Sequence, residues 1–148
     1  IQLPLTLATT QALLVAVDDV VYALPLVSVT EALSEAGADL HQVSGHTALR
    51  LRGRLLPVVD LANALGDRRQ RTLDGSRALV AAKHGGHQVA FLVDRLLGEQ
   101  DVVVKSLGAL LGNHQGLTGA TILGDGSLGL IIDTASLVLG QANLQAIA

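Results

Sequence analysis

Two pairs of short segments recur along this chain in the same order. Ala12-Leu13-Leu14-Val15 followed by Val21-Tyr22-Ala23-Leu24 is echoed by Ala78-Leu79-Val80-Ala81 followed by Val89-Ala90-Phe91-Leu92. Arg52 to Asp60 (RGRLLPVVD) is echoed by Asp125 to Asp133 (DGSLGLIID), and a short helix is expected after each. An internal duplication constrains the fold strongly, because both halves must be able to build the same unit. The repeated runs are apolar, of strand length and bounded by turn residues, so the unit is mostly β. With about five strands and a helix per half, it has the size of a small closed barrel, which leaves no sheet edge exposed. The expected architecture is therefore all-β with short helices: two small barrels side by side.

The boundaries follow from turn chemistry and charge. Asp18-Asp19 separates Gln11–Val17 from Val20–Leu26 as a hairpin turn, and Gly53 does the same between Ala48–Arg52 and Arg54–Asp60. Val27–Ser34 is read as a short helix ended by Gly37, and Leu61–Leu65 as a helical turn capped by Asp60, with Gly66 just past its end. The polar stretch Asp67 to Arg77 (DRRQRTLDGSR) is the expected exposed connection between halves. Beyond it come Arg77–Lys83, a His84-Gly85-Gly86-His87 turn, and Gln88–Asp94, running on through a bulge near Gly98 into Val102–Lys105. Gly119–Leu123 and Leu128–Asp133 form a last hairpin, and Leu137, Gln141, Leu144 and Ile147 mark an amphipathic helix capped by Asp133 or Thr134. This places a first barrel at about 11–66, a linker at 67–77, a second barrel at about 78–133 and a C-terminal helix at 134–148.

Composition removes several functions. With 148 residues and 49% of them hydrophobic against 16% charged, the chain can bury a true core. Tyr22 and Phe91 are its only aromatics, so it offers no stacking platform for single-stranded nucleic acid, and a net charge of −3 disfavours general phosphate-backbone binding. Cysteine is absent, which removes disulfides, thiolate metal sites and thiol nucleophiles together. Every apolar run is too short to cross a membrane, and neither a signal peptide nor membrane insertion is expected. Without Met, even at position 1, the chain reads as a piece of something longer.

No catalytic or metal constellation emerges. Gly124, Gly126 and Gly129 match GxGxxG, but a strand follows where a dinucleotide loop needs a helix, so a hairpin turn is expected. His84 and His87 flank two glycines without a further ligand nearby in sequence; His41, His46 and His114 are scattered; GxSxG and HExxH are absent. No cofactor is expected. Arg68, Arg69 and Arg71 read as solvated linker residues. Arg50 and Arg52 alternate with Leu49 and Leu51, giving that strand one cationic and one apolar face. In Ala12 to Val17 both faces are apolar, so one enters a barrel and the other needs a neighbouring subdomain or a partner protein to cover it. Leu13, Leu14, Leu49 and Leu51 are the candidate partner-binding residues.

Several stretches closely resemble the CheW-like regulatory domain at the C-terminus of chemotaxis histidine kinases of the CheA type. They are Gln11-Ala-Leu-Leu-Val, Val21-Tyr-Ala-Leu-Pro-Leu, Leu51-Arg-Gly-Arg-Leu-Leu-Pro-Val-Val-Asp-Leu, Val93-Asp-Arg-Leu-Leu-Gly-Glu-Gln-Asp-Val-Val-Val-Lys-Ser-Leu and Gly119-Ala-Thr-Ile-Leu-Gly-Asp-Gly. The run from Leu97 to Leu107 resembles the kinase more than the free-standing adaptor CheW, and residues 1–8 (IQLPLTLA) resemble the end of the kinase's ATP-binding domain, leaving 9–148 as the CheW-like domain. The resemblance implies a pair of five-stranded SH3-like barrels and a non-catalytic, cytoplasmic role. The implied partners are the adaptor CheW, the cytoplasmic tips of chemoreceptors and other kinase domains in cis. It also implies a structural ion pair between Glu31 and Arg52. Arg54 departs from the family motif, which often carries Glu there. The alternatives are a free-standing adaptor and a barrel that binds a small apolar ligand, the latter disfavoured because barrels this small are filled by their own side chains.

Overall fold

The computed structural model describes residues 9–65, 77–103, 105–106, 117–123 and 126–138. Its strands are β1 (Thr9–Val17), β2 (Val20–Pro25), β3 (Val29–Ser34), β4 (Leu40–Val43), β5 (His46–Leu51), β6 (Arg54–Asp60), β7 (Ala78–His84), β8 (His87–Val93), β9 (Arg95–Val103), β10 (Lys105–Ser106), β11 (Leu117–Ile122) and β12 (Leu128–Ile132). Helix α1 (Leu61–Ala64) follows β6, and α2 (residues 134–138) follows β12. Equivalent acids cap the two helices. Asp60 Oδ1 accepts from the Ala62 N–H at 2.9 Å, and Asp133 Oδ1 accepts from the Ser136 N–H at 3.3 Å. The duplication is thus visible in the order of elements: hairpin, two pieces of edge strand, hairpin, helix, and then the same again.

The strands do not sort into barrels by position along the chain. One sheet runs β10-β11-β12-β2-β1-β9 and the other β3-β7-β8-β6-β5-β4. Each half therefore lends its first hairpin to the other half: β1–β2 completes the sheet of β9 to β12, and β7–β8 completes the sheet of β3 to β6. This corrects the division into barrels at 11–66 and 78–133. The seams are parallel pairings, β12 with β2 and β6 with β8, which need long crossovers and so leave no local turn signature. Both edges of each sheet come from consecutive chain: β3 runs through a 3-10 turn at Glu35–Gly37 into β4, and β9 runs into β10. Counting each of these bent edges once gives five strands per barrel.

Local expectations mostly hold. The β1–β2, β5–β6 and β7–β8 turns fall where the turn residues placed them. The bulge near Gly98 is real: Leu14 faces Gly98 while Val15 faces Leu96, leaving Leu97 unpaired, and Gly98 sits at φ 108°, where a side chain is strained. β11 and β12 pair antiparallel, with Gly129 of the GxGxxG match inside β12 rather than at the start of a helix. Gly129 leaves room for Leu123 and Thr121, whose side chains would stand 3.3 and 3.4 Å from an added Cβ. The helix expected over 27–34 is a single 3-10 turn, Leu26–Ser28, followed by β3. Val29 to Ser34 alternate between half-buried and exposed, the period of a strand, and β-branched Val29 and Thr30 favour it. Residues 1–8, the linker expected at 67–77 except for Arg77, and the part of the expected C-terminal helix beyond 138 lie outside the described residues.

Three apolar cores result. Leu49, Leu56, Leu79, Ala81, Ala90 and Leu92 fill the barrel of β3 to β8, and Ala12, Leu14, Ala23, Val102 and Ile131 fill the other. A third core joins the two sheets through Leu13, Val15, Val17 and Leu24 on one side and Val80, Val89, Phe91 and Val93 on the other, with α1 and α2 packed in. The hairpins β1–β2 and β7–β8 are apolar on both faces for this reason.

Candidate partner-binding surface

The structure takes three of the four candidate leucines out of contention. Leu13 is 7% exposed in the core between the sheets, Leu14 is 6% exposed inside its barrel, and Leu49 is fully buried in the other barrel. The second apolar face of β1 is covered by the neighbouring sheet, not by a partner. Leu51 is half-buried at the edge of its barrel core, next to the β5–β6 turn. Four leucines with one sequence pattern thus have different surroundings, because the sheet that covers β1 is formed by residues far along the chain.

Exposed large apolar side chains lie elsewhere: Val27, Val43, Leu55, Leu96 and Leu97 at separate strand ends and turns, and three more that adjoin one another. Ile122 and Leu128 face each other across the β11–β12 ladder and are 61% and 60% exposed. In the parallel β12–β2 pairing Gly129 sits opposite Val21, which sets Leu128 beside Val20, itself 38% exposed. These three form a row across three strands at one end of the sheet. Sequence reasoning missed them because each lies at the end of a strand and Val20 is far along the chain from the other two; only the pairing brings them together.

Glu31 and Arg52 do meet. Arg52 Nη2 donates to Glu31 Oε1 at 3.3 Å, with side chains 77% and 34% exposed. Arg52 reaches it from the first turn position between β5 and β6, where it adopts φ 54° and Gly53 adopts φ 81°. Two positive φ values define the turn type that suits the right-handed twist of a hairpin, although Asn or Asp is the usual residue where Arg52 stands. In an exposed setting the pair is worth about 0.2–1 kcal/mol. A double-mutant cycle with Glu31→Ala and Arg52→Ala, read by chemical denaturation, should give a coupling in that range; zero coupling would show two independent side chains.

A second polar constellation lies at the junction of the sheets, and the sequence reading placed its centre in a solvated linker. Arg77 is 8% exposed. Its Nη2 stands 3.0 Å from Asp60 Oδ2 and its Nε 3.2 Å from Asp94 Oδ1. Asp94 Oδ2 accepts from the Asp18 N–H at 2.6 Å, and the Asp94 N–H donates to Ala16 O at 2.9 Å. Asp60 ends β6, Arg77 precedes β7, Asp94 bridges β8 and β9, and Asp18 turns β1 into β2, so one connected network ties both sheets at their crossover. Charge-assisted contacts of this kind hold the strand ends of the two sheets together. Among the described residues no group of three or more His, Cys, Asp or Glu could hold a metal ion. His84 and His87 face each other across the β7–β8 turn. No described helix is long and apolar enough to cross a membrane.

A fold of this shape has solved relatives. The scaffolding protein TtCheW from Thermoanaerobacter tengcongensis superposes with a TM-score of 0.73 over 88% of this chain and 92% of its own, at 15% identity, which shows a shared fold. Chemotaxis protein CheA of Klebsiella aerogenes is 39% identical over 138 residues, 93% of this chain, and that of Bacillus subtilis is 37% identical over 139 residues, 94% of this chain. Sensor histidine kinase CheAY of Helicobacter pylori is 36% identical over 138 residues, 93% of this chain. The matched region is 21%, 21% and 17% of those three proteins, so the chain corresponds to about one fifth of each. With the CheW-like domain model matching residues 11–141, the chain belongs to the CheW-like domain family.

Proposed function

We propose that this chain is the regulatory module of a bacterial chemotaxis histidine kinase, a cytoplasmic, non-catalytic part that binds a CheW-type adaptor and the cytoplasmic tips of chemoreceptors. Through those contacts it couples receptor state to the kinase domains in cis. The observation that carries this reading is the match to about one fifth of several CheA-type kinases at 36–39% identity over nearly the whole chain. The resemblance of residues 1–8 to the end of an ATP-binding domain supports a kinase parent over a free-standing adaptor. Barrel interiors occupied by the chain's own Leu14, Leu49, Leu56, Leu79 and Leu92 argue against a small apolar ligand.

The open apolar row of Val20, Ile122 and Leu128 is the surface we assign to the adaptor. Leu128→Asp should weaken adaptor binding at least ten-fold in calorimetry while leaving the melting temperature within a degree or two, because a charge is then buried only in the complex. Leu49→Asp, by contrast, should unfold the chain. Adaptor affinity unchanged in both Leu128→Asp and Ile122→Asp would remove this surface, and failure of the unsubstituted chain to bind any CheW-type adaptor would remove the reading itself. Deleting the module from its parent kinase is expected to abolish receptor control and to spare basal autophosphorylation.

A further inference from the structure

At one mouth of the β3-to-β8 barrel, β3, the β5–β6 turn and the tip of the β7–β8 hairpin leave a cleft of about 260 Å³. Three cations line it, Arg52, Arg54 and Lys83, together with Gln88 and Leu51, and Glu31 is the single carboxylate among its described lining residues. Arg52 is engaged by Glu31. Arg54 and Lys83 are exposed and make no ion pair with any described residue. The surplus of positive charge is local, since the chain as a whole carries 13 acidic against 10 basic side chains. Like charges that converge on one concavity repel in the isolated chain, so they favour occupancy by an anion.

We propose that this cleft is a docking site for an acidic segment of a protein partner, whose carboxylates pair with Arg54 and Lys83 while Arg52 stays on Glu31. The size fits one or two side chains and falls below the ~300 Å³ at which small-molecule pockets begin. The fork of an Arg guanidinium matches a carboxylate in two hydrogen bonds, and Glu31 on Arg52 already shows the cleft holding one. The proposal rests on the reading of the chain as a partner-binding module and specifies the chemistry of one contact.

The experiment titrates the isotope-labelled 148-residue chain with the peptide Ac-Glu-Asp-Glu-Asp-Glu-Asp-NH2, with its amide counterpart Ac-Gln-Asn-Gln-Asn-Gln-Asn-NH2 and with inorganic phosphate. Amide resonances around the β5–β6 and β7–β8 turns should shift saturably with the acidic peptide alone and lose the effect at high salt, where screening is strong. The Arg54→Gln, Lys83→Gln double variant should bind the acidic peptide at least five-fold more weakly at an unchanged melting temperature. Absence of saturable shifts, or equal affinity in the double variant, overturns the proposal. Equal response to phosphate overturns it too, by making the cleft an unselective anion site. Loss of peptide binding with adaptor binding intact would sink this contact only; the reverse outcome would sink the adaptor reading and spare the cleft.

Discussion

Arg77→Met should destabilise the chain by about 3–5 kcal/mol, the usual cost of removing one partner from a buried ion pair. The side chains of Arg77 and Asp60 are 7% and 8% exposed, and Asp94 is 29% exposed. Once the guanidinium is gone, two carboxylates are left facing an apolar side chain, and the buried one at Asp60 has no other cation among the described residues within 4.0 Å. For a chain of this length that loss corresponds to a fall in melting temperature of about 6–20 °C. Adding Asp60→Asn should recover part of it, because a neutral amide keeps an oxygen for the Ala62 N–H and removes the stranded charge. A loss below about 1 kcal/mol in Arg77→Met, or a double variant as unstable as the sum of the two single changes, would show that the network contributes no such coupling.

Arg77 also marks the limit of what the sequence made legible. As the last residue of a charged run it reads as linker, and nothing local says that Asp60 and Asp94 converge on it; the convergence exists only once β6, β7 and β8 share a sheet. The same limit explains the barrels. The echoed segments disclosed a duplicated unit, but not that the two units exchange hairpins, because the joining pairings β2 with β12 and β6 with β8 are parallel and remote. Even the echo was one residue out of step. Superimposing the Asp18-Asp19 and Gly85-Gly86 turns sets Leu13 with Val80 and Leu24 with Phe91, all in the core between sheets, whereas the match by residue type sets Leu13 with Leu79, which points into a barrel. A slip of one residue reverses every face of a strand. By contrast, the turns, the bulge at Gly98 and the Asp60 cap depend on neighbours in sequence and were readable from it. Glu31 and Arg52 were paired through family resemblance, since no spacing rule joins a strand to a distant turn.

Phe91→Ala should cost about 3–5 kcal/mol, as large-to-small changes at fully buried aromatics do. Phe91 is 0% exposed and is the largest side chain in the core that joins the sheets. How the loss is distributed is the more informative result. If each barrel were a sequential unit, a cavity between them would loosen their contact and leave two separately folded barrels. Here β8 carries Phe91 and Val93 on the face toward the other sheet and Ala90 and Leu92 on the face toward its own barrel. β1 likewise divides Leu13 and Val15 from Ala12 and Leu14. Neither barrel can open without exposing the shared core, and neither closes without a hairpin delivered by the other half. The melting temperature of Phe91→Ala should therefore fall by about 6–20 °C while unfolding stays a single cooperative transition. Calorimetry that resolves two transitions in this variant, or a loss under about 1 kcal/mol, would mean that the exchanged hairpins do not bind the two barrels into one unit.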